Sequence, residues 1–460
     1  MIDSVVKMDK KLAFWLEVKA IFKKTSDKFD AKWQKRKRIL DSQLLVAFLL
    51  KLVESKNKQG YGSNLVQFWE SCLNQGIKLA QDKSVSASSL CEARQKLSED
   101  IFIELNKELV VLWNKTPDLP SFKGYRLFGV DGSRINLPRE LINYGFKLYD
   151  EKGGRYYPQG IMSCLYNLQE KVIYDFSLAK HMNERLCALE HMKQLSSKDI
   201  MIFDRGYFSY LLFYKALEAN VEAIFRMQAG GANKEIIKFI KGKKDDDIIE
   251  YNPSTTVKYD LTKDGYKLDF KPLTMRLIKK KIGKETYIYA TTLLNMEIFP
   301  TSCFAEIYHG RWGIEELYKI SKMFIEIEEF HAKTERGVRQ ELYAHILLIN
   351  LSRFFEYEAQ KLIIPKKGKE SGNAEKLDSA NIFNPISMIK LNFKNCLLVV
   401  GRNLEALILK GSALLDEWLQ KIVNSIVRIR QKIRPKRHYR RISHKPWNKW
   451  SSFRKQHAKV

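Results

Sequence analysis

Long apolar runs are missing from this chain of 460 residues. The longest runs, at residues 44–50 and 346–351, are much shorter than the roughly 20 apolar residues that a membrane-spanning helix needs. The N-terminus also lacks the basic, then apolar, then small-residue pattern of a secretory leader. We therefore expect no membrane span and a cytosolic location.

Closely spaced cysteine pairs are missing as well. The six cysteines are scattered without a Cys-x-x-Cys motif, and the eight histidines show no paired spacing typical of a metal site. These absences argue against a structural zinc site. Reduced, buried thiols are the expected state of the cysteines.

Acidic residues are too few to balance the basic ones. Lys and Arg total 80 against 53 Asp and Glu, which gives a formal net charge of +27. A polyanion would bind such a chain with release of counterions, so nucleic acid is the expected partner, ahead of an acidic membrane. The length suggests roughly two to four domains.

Two aspartates each follow an apolar run that is typical of a short buried strand. Asp131 follows residues 127–130, and Asp204 follows residues 200–203. A third carboxylate, Glu315, lies in a helical segment. Two strand-end carboxylates and one helical carboxylate are a minimal oxygen set for two Mg²⁺ ions about 3.5 to 4 Å apart. This set predicts phosphoryl transfer on a nucleic-acid backbone.

The segment around Glu315 places cations beside its carboxylate. Its neighbours at helical spacing are Tyr308, Arg311, Tyr318, Lys319 and Lys322. That spacing predicts one side of a single helix, with the carboxylate pointing inward. A carboxylate beside cations suits a metal ion together with a phosphate.

The order of predicted elements indicates an α/β fold. Strands are expected at 125–131, 160–167, 172–179, 199–204 and 222–228, with helices near 183–196 and 208–219. Three successive strands followed by alternating helices and strands match the order of a ribonuclease-H-like domain. Such a layout would bring Asp131 and Asp204 together at neighbouring strand ends.

We therefore predict a ribonuclease-H-like catalytic core that is interrupted by a β-rich insertion and flanked by helical N- and C-terminal regions. The predicted segments are a helical N-terminal DNA-binding domain at 1–118, the first part of the core at 119–228, the insertion at 229–300, the last part of the core with the Glu315 helix at 301–360, and a helical C-terminal region with a basic arm at 361–460.

Within the insertion, strands are expected at 266–270, 274–278 and 287–294. The adjacent Asp245, Asp246 and Asp247 follow two lysines, a pattern more typical of a solvated turn than of a metal site.

Two peripheral segments are candidates for DNA contact. Ser89 has capping-box spacing and predicts the start of a helix that carries Arg94, Gln95 and Lys96. This helix either reads DNA or is an ordinary surface helix. Residues 428–460 contain thirteen Lys or Arg, several aromatics and no acidic residue, so we expect a basic arm on nucleic acid rather than a solvated tail.

Three motifs carry a resemblance to a known family. The first is Asp131, Gly132 and Ser133 after a strand; the second is Asp204, Arg205, Gly206 and Tyr207; the third is the spacing of Tyr308, Arg311, Glu315 and Lys322. Over residues 122–355 the chain resembles the DDE transposases of the insertion-sequence-four family, which cut and paste bacterial insertion sequences.

The resemblance implies a Mg²⁺-dependent DNA nuclease and strand transferase. Asp131, Asp204 and Glu315 would hold two Mg²⁺ ions, with Mn²⁺ as the alternative metal. The implied substrates are double-stranded transposon ends with terminal inverted repeats, and target DNA. A homodimer on DNA, associated with the bacterial nucleoid, and hairpin ends are also implied.

The same resemblance gives roles to four further side chains. Tyr308, Arg311 and Lys322 would hold the DNA backbone near the cleaved strand, and Arg205 would add a phosphate contact. Two other functions remain open: a catalytically inactive DNA-binding protein that acts as a repressor, and a nuclease that only hydrolyses.

One feature departs from the family pattern. The family uses a tryptophan of the insertion to stack on a flipped base, yet no Trp occurs here between Asp204 and Trp312. Base flipping needs an aromatic or apolar platform. The candidates for it are Tyr251, Tyr259, Tyr266, Tyr287 and Tyr289.

Overall fold

The computed structural model of the chain describes residues 2–34, 38–54, 59–149, 156–228, 234–283, 285–323, 325–363, 389–411 and 415–432. The basic arm predicted at 428–460 is therefore described only as far as Lys432, and residues 433–460 lie outside the described residues.

Helices surround one large sheet. They are α1 Ile2–Trp33, α2 Ser42–Glu54, α3 Tyr61–Asn74, α4 Ala87–Lys96, α5 Asp100–Trp113, α6 Glu184–Met192, α7 Tyr210–Glu218, α8 Lys234–Lys241, α9 Thr255–Lys263, α10 Thr301–Gly310, α11 Trp312–Met323, α12 Glu335–Ile363, α13 Phe393–Gly401, α14 Leu404–Leu409 and α15 Leu415–Arg428, with a 3₁₀ helix at Arg139–Tyr144. In the described part of the chain, none of them is long and apolar enough to cross a membrane.

The strands are β1 Arg126–Asn136, β2 Gln159–Asn167, β3 Ile173–Ala179, β4 Asp199–Phe203, β5 Glu222–Arg226, β6 Asp246–Tyr251, β7 Leu273–Ile282, β8 Glu285–Thr291, β9 Ile389–Leu391 and β10 Arg430–Lys432. The first eight form one sheet in the order β3-β2-β1-β4-β5-β8-β7-β6. Strand β4 is parallel to β1 and to β5, and the other pairs of this sheet are antiparallel. The mixed α/β architecture predicted from the sequence is confirmed.

Alternating side chains place the sheet between two cores. Leu127 and Ile202 face the core that also contains the N-terminal helices, α11 and α12. Phe128 and Phe203 face a second core formed with α6, α7 and α8. Because successive strand residues point to opposite faces, Asp131 lies on the same face as Leu127, toward α11.

The five predicted strands of the core are all present as β1 to β5, within a few residues of the predicted ends except that β1 extends beyond residue 131 to Asn136. Of the three strands predicted at 229–300, two are present as β7 and β8. The one predicted at 266–270 is wrong, because these residues form no strand and Phe270 has a left-handed φ of 49°. The strands at 229–300 extend the central sheet, since β8 pairs with β5.

The missed strand is β6, which contains Asp246. The prediction of a solvated turn there was wrong, because both carboxylate oxygens of Asp246 accept hydrogen bonds from the fully buried Arg276 guanidinium, at 2.8 and 2.6 Å. The same guanidinium donates to the carbonyl oxygen of Phe299 at 2.8 Å. This contact ties the outer strands to the chain that leads into α10.

The helix around Arg94 begins at Ala87, and its N-cap is Ser86 rather than Ser89. Arg94 is only 5% exposed and donates to the Glu341 carboxylate of α12 at 2.9 Å. The use of Arg94 to read DNA is therefore wrong: its side chain joins α4 to α12, the long buried helix of the molecule.

The described part of the C-terminal region is mostly helical. Within its described residues, this region contains three helices, α13 to α15. Helix α13 ends at Gly401, where an added Cβ would lie 2.2 Å from Cγ of Glu54. A close approach of α13 to α2 thus requires glycine at this helix end.

Candidate active site

The sheet order brings the two predicted aspartates to adjacent strands. Asp204 directly follows β4, and the β1–β4 register pairs Gly129 with Ile202, so Asp131 and Asp204 are the next residues on the same face. Neighbouring strands lie about 4.8 Å apart. Asp131 itself lies inside the long strand β1, not at its end as predicted, because β2 continues to pair with β1 as far as Asn136.

Arg311 lies among the three carboxylates. Its NH2 group donates to Oε1 of Glu315 at 2.6 Å, and its NH1 group is 3.9 Å from Oδ2 of Asp131. The side chain is buried, and its Nε has no hydrogen-bond partner in the described residues. The guanidinium therefore supplies positive charge where the carboxylates would otherwise repel one another.

The helix around Glu315 is interrupted. Helix α10 ends at Gly310 and α11 begins at Trp312, with Arg311 as a turn residue between them. The prediction of one continuous helix from Tyr308 to Lys322 was therefore wrong. The break lets the Arg311 side chain reach Asp131 as well as Glu315, whose side chain is 48% exposed rather than inward-pointing.

Asp204 is held in its charged form. The hydroxyl of Tyr308 donates to its Oδ1 at 2.8 Å. Burial would raise the pKa of Asp204, but the backbone N–H of Arg205, the Tyr308 hydroxyl and the charges of Arg311 and Arg226 outweigh burial and lower this pKa below its ordinary value.

Asp131 has the opposite tendency. Burial raises the pKa of its carboxyl to about 6, the Arg311 charge opposes the rise, and the charges of Glu184 and Glu315 add to it. A nearby divalent cation would reverse this shift and favour the carboxylate. The hydroxyl of Tyr318 fixes the strand here, since it donates to the Asp131 carbonyl oxygen at 2.6 Å.

The last two predicted DNA-contacting residues occupy different surroundings. The Nζ of Lys322 donates to the carbonyl oxygen of Arg134 at 2.5 Å and lies 3.7 Å from the Glu328 carboxylate. Arg205 is exposed beside Asp204. Lys322 therefore contacts protein acceptors at the end of β1 in this conformation.

Sequence reasoning missed Arg226. It ends β5, on the strand next to Asp204, and its guanidinium lies over the ring of Tyr287 at 4.4 Å and over that of Tyr308 at 5.6 Å. Nothing in the sequence marks it, because its position depends on which strands are neighbours. Its charge is one of those that stabilise the Asp204 carboxylate.

The structure also separates the five tyrosines proposed as a stacking platform. Tyr251 and Tyr289 are buried in the core, and Tyr259 is 66% exposed on α9. Tyr287 is half-buried on β8 and contacts Arg226 beside the carboxylates. Tyr289 also contacts Tyr308, with ring centroids 5.5 Å apart, but its side chain is fully buried. Among the residues described, Tyr287 is thus the candidate that contacts this site and is also partly exposed.

The donor set has the chemistry of a magnesium or manganese site, since carboxylate oxygens are the ligands that these ions prefer. Within the described residues, no three Asp, Glu, His or Cys side chains are close enough together to hold one ion. The Arg311–Glu315 ion pair uses Oε1 of Glu315. Metal binding by all three carboxylates would require them to come closer together.

A cavity of about 670 Å³ lies elsewhere, between α4 and the segment before α12. Its lining includes Tyr61, Arg94, His331 and Arg336, and none of the three carboxylates. This cavity is therefore separate from the candidate active site.

Three comparisons bear on this arrangement. A family model described as "Transposase DDE domain" matches residues 122–351. The chain is 23% identical over 277 residues to the transposase InsG for insertion sequence element IS4 of Escherichia coli (strain K12), covering 59% of this chain and 61% of that protein. It is also 23% identical over 294 residues to the transposase for insertion sequence element IS231F of Bacillus thuringiensis subsp. israelensis, covering 55% and 60%.

The chain thus spans about 60% of the length of these curated relatives. Among solved structures, a piggyBac transposase synaptic complex with hairpin DNA aligns with 89% of this chain and 83% of that chain, at 12% identity and a TM-score of 0.36. That structural likeness is too distant to guide interpretation of this chain.

Proposed function

Because the chain belongs to the transposase DDE domain family, we propose that it is a DNA transposase that binds the terminal inverted repeats of an insertion sequence, cleaves DNA there and joins the freed 3′ ends to target DNA. One observation supports the proposal: Asp131 and Asp204 lie on adjacent strands, and the Arg311 guanidinium contacts Glu315 at 2.6 Å and approaches Asp131 at 3.9 Å. An acidic centre within a chain of net charge +27 suits a metal-assisted reaction on a polyanion.

Asp131, Asp204 and Glu315 are the proposed ligands of two divalent cations, Mg²⁺ or Mn²⁺. When bound, such ions activate an attacking oxygen and stabilise the leaving oxygen of a phosphodiester. The protein's own contribution is to position the carboxylates. Tyr308 orients Asp204, Tyr318 fixes the backbone at Asp131, and Arg311 sets the position of Glu315.

Arg311 has a second proposed role. When Glu315 turns to a cation, the guanidinium is released to bind a DNA phosphate, for which its forked donors are suited. Arg226 and Arg205, on either side of Asp204, extend the same positive surface, and Lys322 joins it by leaving the Arg134 carbonyl. Each of these contacts would hold the DNA backbone near the cleaved strand.

For the hairpin step, we propose that Tyr287 replaces the missing tryptophan. Its ring lies against Arg226, which also contacts Tyr308, the partner of Asp204. A base that leaves the duplex next to the cleaved bond could therefore stack on this pair. Replacement of Tyr287 by Ala would then reduce hairpin formation more than first-strand nicking.

We also propose a division of the chain into domains. Residues 119–228 and 301–360 would form a ribonuclease-H-like core, supported by the strand order β3-β2-β1-β4-β5. Residues 229–300 would be its insertion, 1–118 the DNA-binding domain, and 361–460 the C-terminal region with the basic arm. The active form would be a homodimer on DNA at the bacterial nucleoid.

The test is incubation of the full-length protein with a labelled duplex bearing its element's ends, with Mg²⁺ or with a chelator, and separation of the products on a denaturing gel. Nicks and hairpins at the element boundary that vanish with the chelator are expected. DNA that is retarded but uncut in every lane would contradict the proposal and favour a repressor. Cleavage without joining to target DNA would favour a nuclease that only hydrolyses.

A further inference from the structure

A fourth carboxylate lies beside Asp131. Glu184 is the first residue of α6, and the Cγ, Cδ and Oε1 atoms of its side chain lie 2.8, 2.9 and 3.1 Å from the point that a Cβ on Gly132 would occupy. The absence of a side chain at residue 132 thus leaves room for Glu184 over β1. The charge of Glu184 raises the pKa of Asp131, and the charge of Asp204 raises the pKa of Glu184, so these carboxylates are close enough to repel one another.

Helix α6 contacts the segments that follow Asp131 and Asp204. While Glu184 covers Gly132, the Nε of the next residue, Arg185, donates to the Gly206 carbonyl oxygen at 2.9 Å. Asn183 caps the helix by accepting from the backbone N–H of Arg185. The position of the Glu184 carboxylate is therefore set by the same elements that carry Asp131 and Asp204.

A buried hydroxyl faces this carboxylate. Tyr207 is 2% exposed, and its phenol interacts with the Glu184 carboxylate, although no group among the described residues meets its oxygen in good hydrogen-bond geometry. Glu184 and Asp131 are the two carboxylates whose charges act on it most strongly. Water bound to a cation between these two carboxylates would give this buried hydroxyl a well-aligned hydrogen-bond partner.

We propose that Glu184 is an additional acidic residue of the catalytic centre, where its carboxylate supplements Asp131 in holding a divalent cation while Tyr207 contacts a water of that cation. This inference rests on the proposed function. It assigns Glu184 a role at the metal that none of the three sequence motifs contains. Because Glu184 also lies at a helix N-terminus, where a carboxylate stabilises the helix, the test separates the two roles.

The experiment titrates Mn²⁺ into the full-length protein and follows the free ion by electron paramagnetic resonance. Glu184→Gln keeps the side-chain shape and removes the charge, so we expect its Mn²⁺ affinity to fall about tenfold or more, as for other residues that support a metal site. Gly132→Ala should weaken binding in the same direction, since the new Cβ displaces the Glu184 carboxylate without removing its charge.

The matched control is Glu190→Gln on the same helix, because Glu190 is exposed and pairs with another exposed side chain, Lys193, at 2.6 Å. This variant should bind Mn²⁺ as the unmodified protein does. Asp131→Asn gives the reference for loss of a ligand. Thermal unfolding in chelator should be unchanged in Glu184→Gln, whereas the stabilisation by added Mn²⁺ should be smaller.

Wild-type affinity in Glu184→Gln, together with loss of binding in Asp131→Asn, would overturn the role of Glu184 and leave the proposed function intact. A lower melting temperature of Glu184→Gln in chelator, with unchanged Mn²⁺ affinity, would assign Glu184 to helix stabilisation alone. No Mn²⁺ binding by the unmodified protein would overturn both proposals.

Discussion

Arg311 is the residue on which the geometry of the site depends. Its buried guanidinium contacts Glu315 at 2.6 Å and approaches Asp131 at 3.9 Å, and its charge also acts on Asp204. Like a bound metal ion, this positive charge reduces the repulsion between the carboxylates around it. The protein therefore supplies a buried positive charge beside these carboxylates.

Tyr308 gives a prediction at the level of a single hydrogen bond. Tyr308→Phe removes the donor to Asp204 and keeps the ring. A hydrogen bond to a charged group contributes about 1.5 to 3 kcal/mol, so DNA cleavage should slow roughly 10- to 100-fold. Because the bond favours the carboxylate, its loss should raise the pKa of Asp204 and move the acidic limb of the pH–rate profile to higher pH.

Single-turnover cleavage across a pH series measures both effects. Tyr259→Phe, on the exposed ring of α9, is the matched control and should behave as the unmodified protein. A Tyr308→Phe variant with a normal rate and a normal profile would contradict the positioning of Asp204 by this hydroxyl.

At the residue scale, the sequence identified the carboxylates and cations through their spacing but not their contacts. Lys322 was predicted to hold DNA, yet here it donates to the Arg134 carbonyl oxygen. Arg226 and Glu184 were not predicted as site residues. Their proximity to Asp204 arises from the pairing of β4 with β5 and the docking of α6, which are long-range contacts that local patterns do not encode.

At the scale of elements, apolar runs predicted strands in the core because both faces of the sheet are buried. The pattern failed where polar residues are buried in pairs. The acidic residues of β6 suggested a turn, since the sequence does not reveal that Arg276 is buried opposite Asp246. The start of α4 was predicted three residues too late, because Ser86 and Ser89 can both cap a helix and the sequence does not show which of them does.

The buried Arg94–Glu341 pair gives a prediction for the joint between α4 and α12. Glu341 is 1% exposed and also accepts from the backbone N–H groups of His331 and Ala332, at 2.8 and 3.1 Å. Glu341→Gln leaves Arg94 as an uncompensated buried charge, so the free energy of unfolding should fall by about 3 to 5 kcal/mol at pH 7. Glu190→Gln, which removes a surface ion pair, should change it by less than about 1 kcal/mol.

The pH dependence of this effect has a definite sign. Burial alone would raise the pKa of Glu341, but Arg94 and His331 outweigh it and lower the pKa below the ordinary value of 4.5. The stabilisation is therefore complete above pH 4.5 and is lost as the pH falls through the lowered pKa. Urea unfolding of both forms over that range should show their difference shrinking with acid, and a constant difference would refute a charged Glu341.

At the scale of the whole molecule, the three motifs indicated the family of the chain. The resemblance to insertion-sequence-four transposases is confirmed by the family match over residues 122–351 and by the two relatives. The sequence did not predict which strands of distant segments pair with one another. The residues predicted as an insertion extend the central sheet through β8, a pairing between strands more than 50 residues apart in the chain.

The basic arm gives a prediction on the scale of the full chain. Removal of residues 433–460 takes away most of the thirteen Lys and Arg predicted to bind DNA. If these side chains neutralise phosphates, the slope of log affinity against log salt should become shallower by about 0.9 for each phosphate that is no longer neutralised. DNA-binding titrations at several salt concentrations measure this slope, and an unchanged slope would mean that the arm does not bind phosphates.

The central claim is that Asp131, Asp204 and Glu315 act together in cutting DNA. The most direct measurement compares cleavage and DNA binding by Asp131→Ala, Asp204→Ala and Glu315→Ala, with Glu316→Ala as the control because Glu316 is the next, exposed carboxylate of α11. We predict that each of the three abolishes cleavage while specific DNA binding persists, and that Glu316→Ala cleaves normally. A normal cleavage rate in any one of the three would contradict the assignment of these carboxylates.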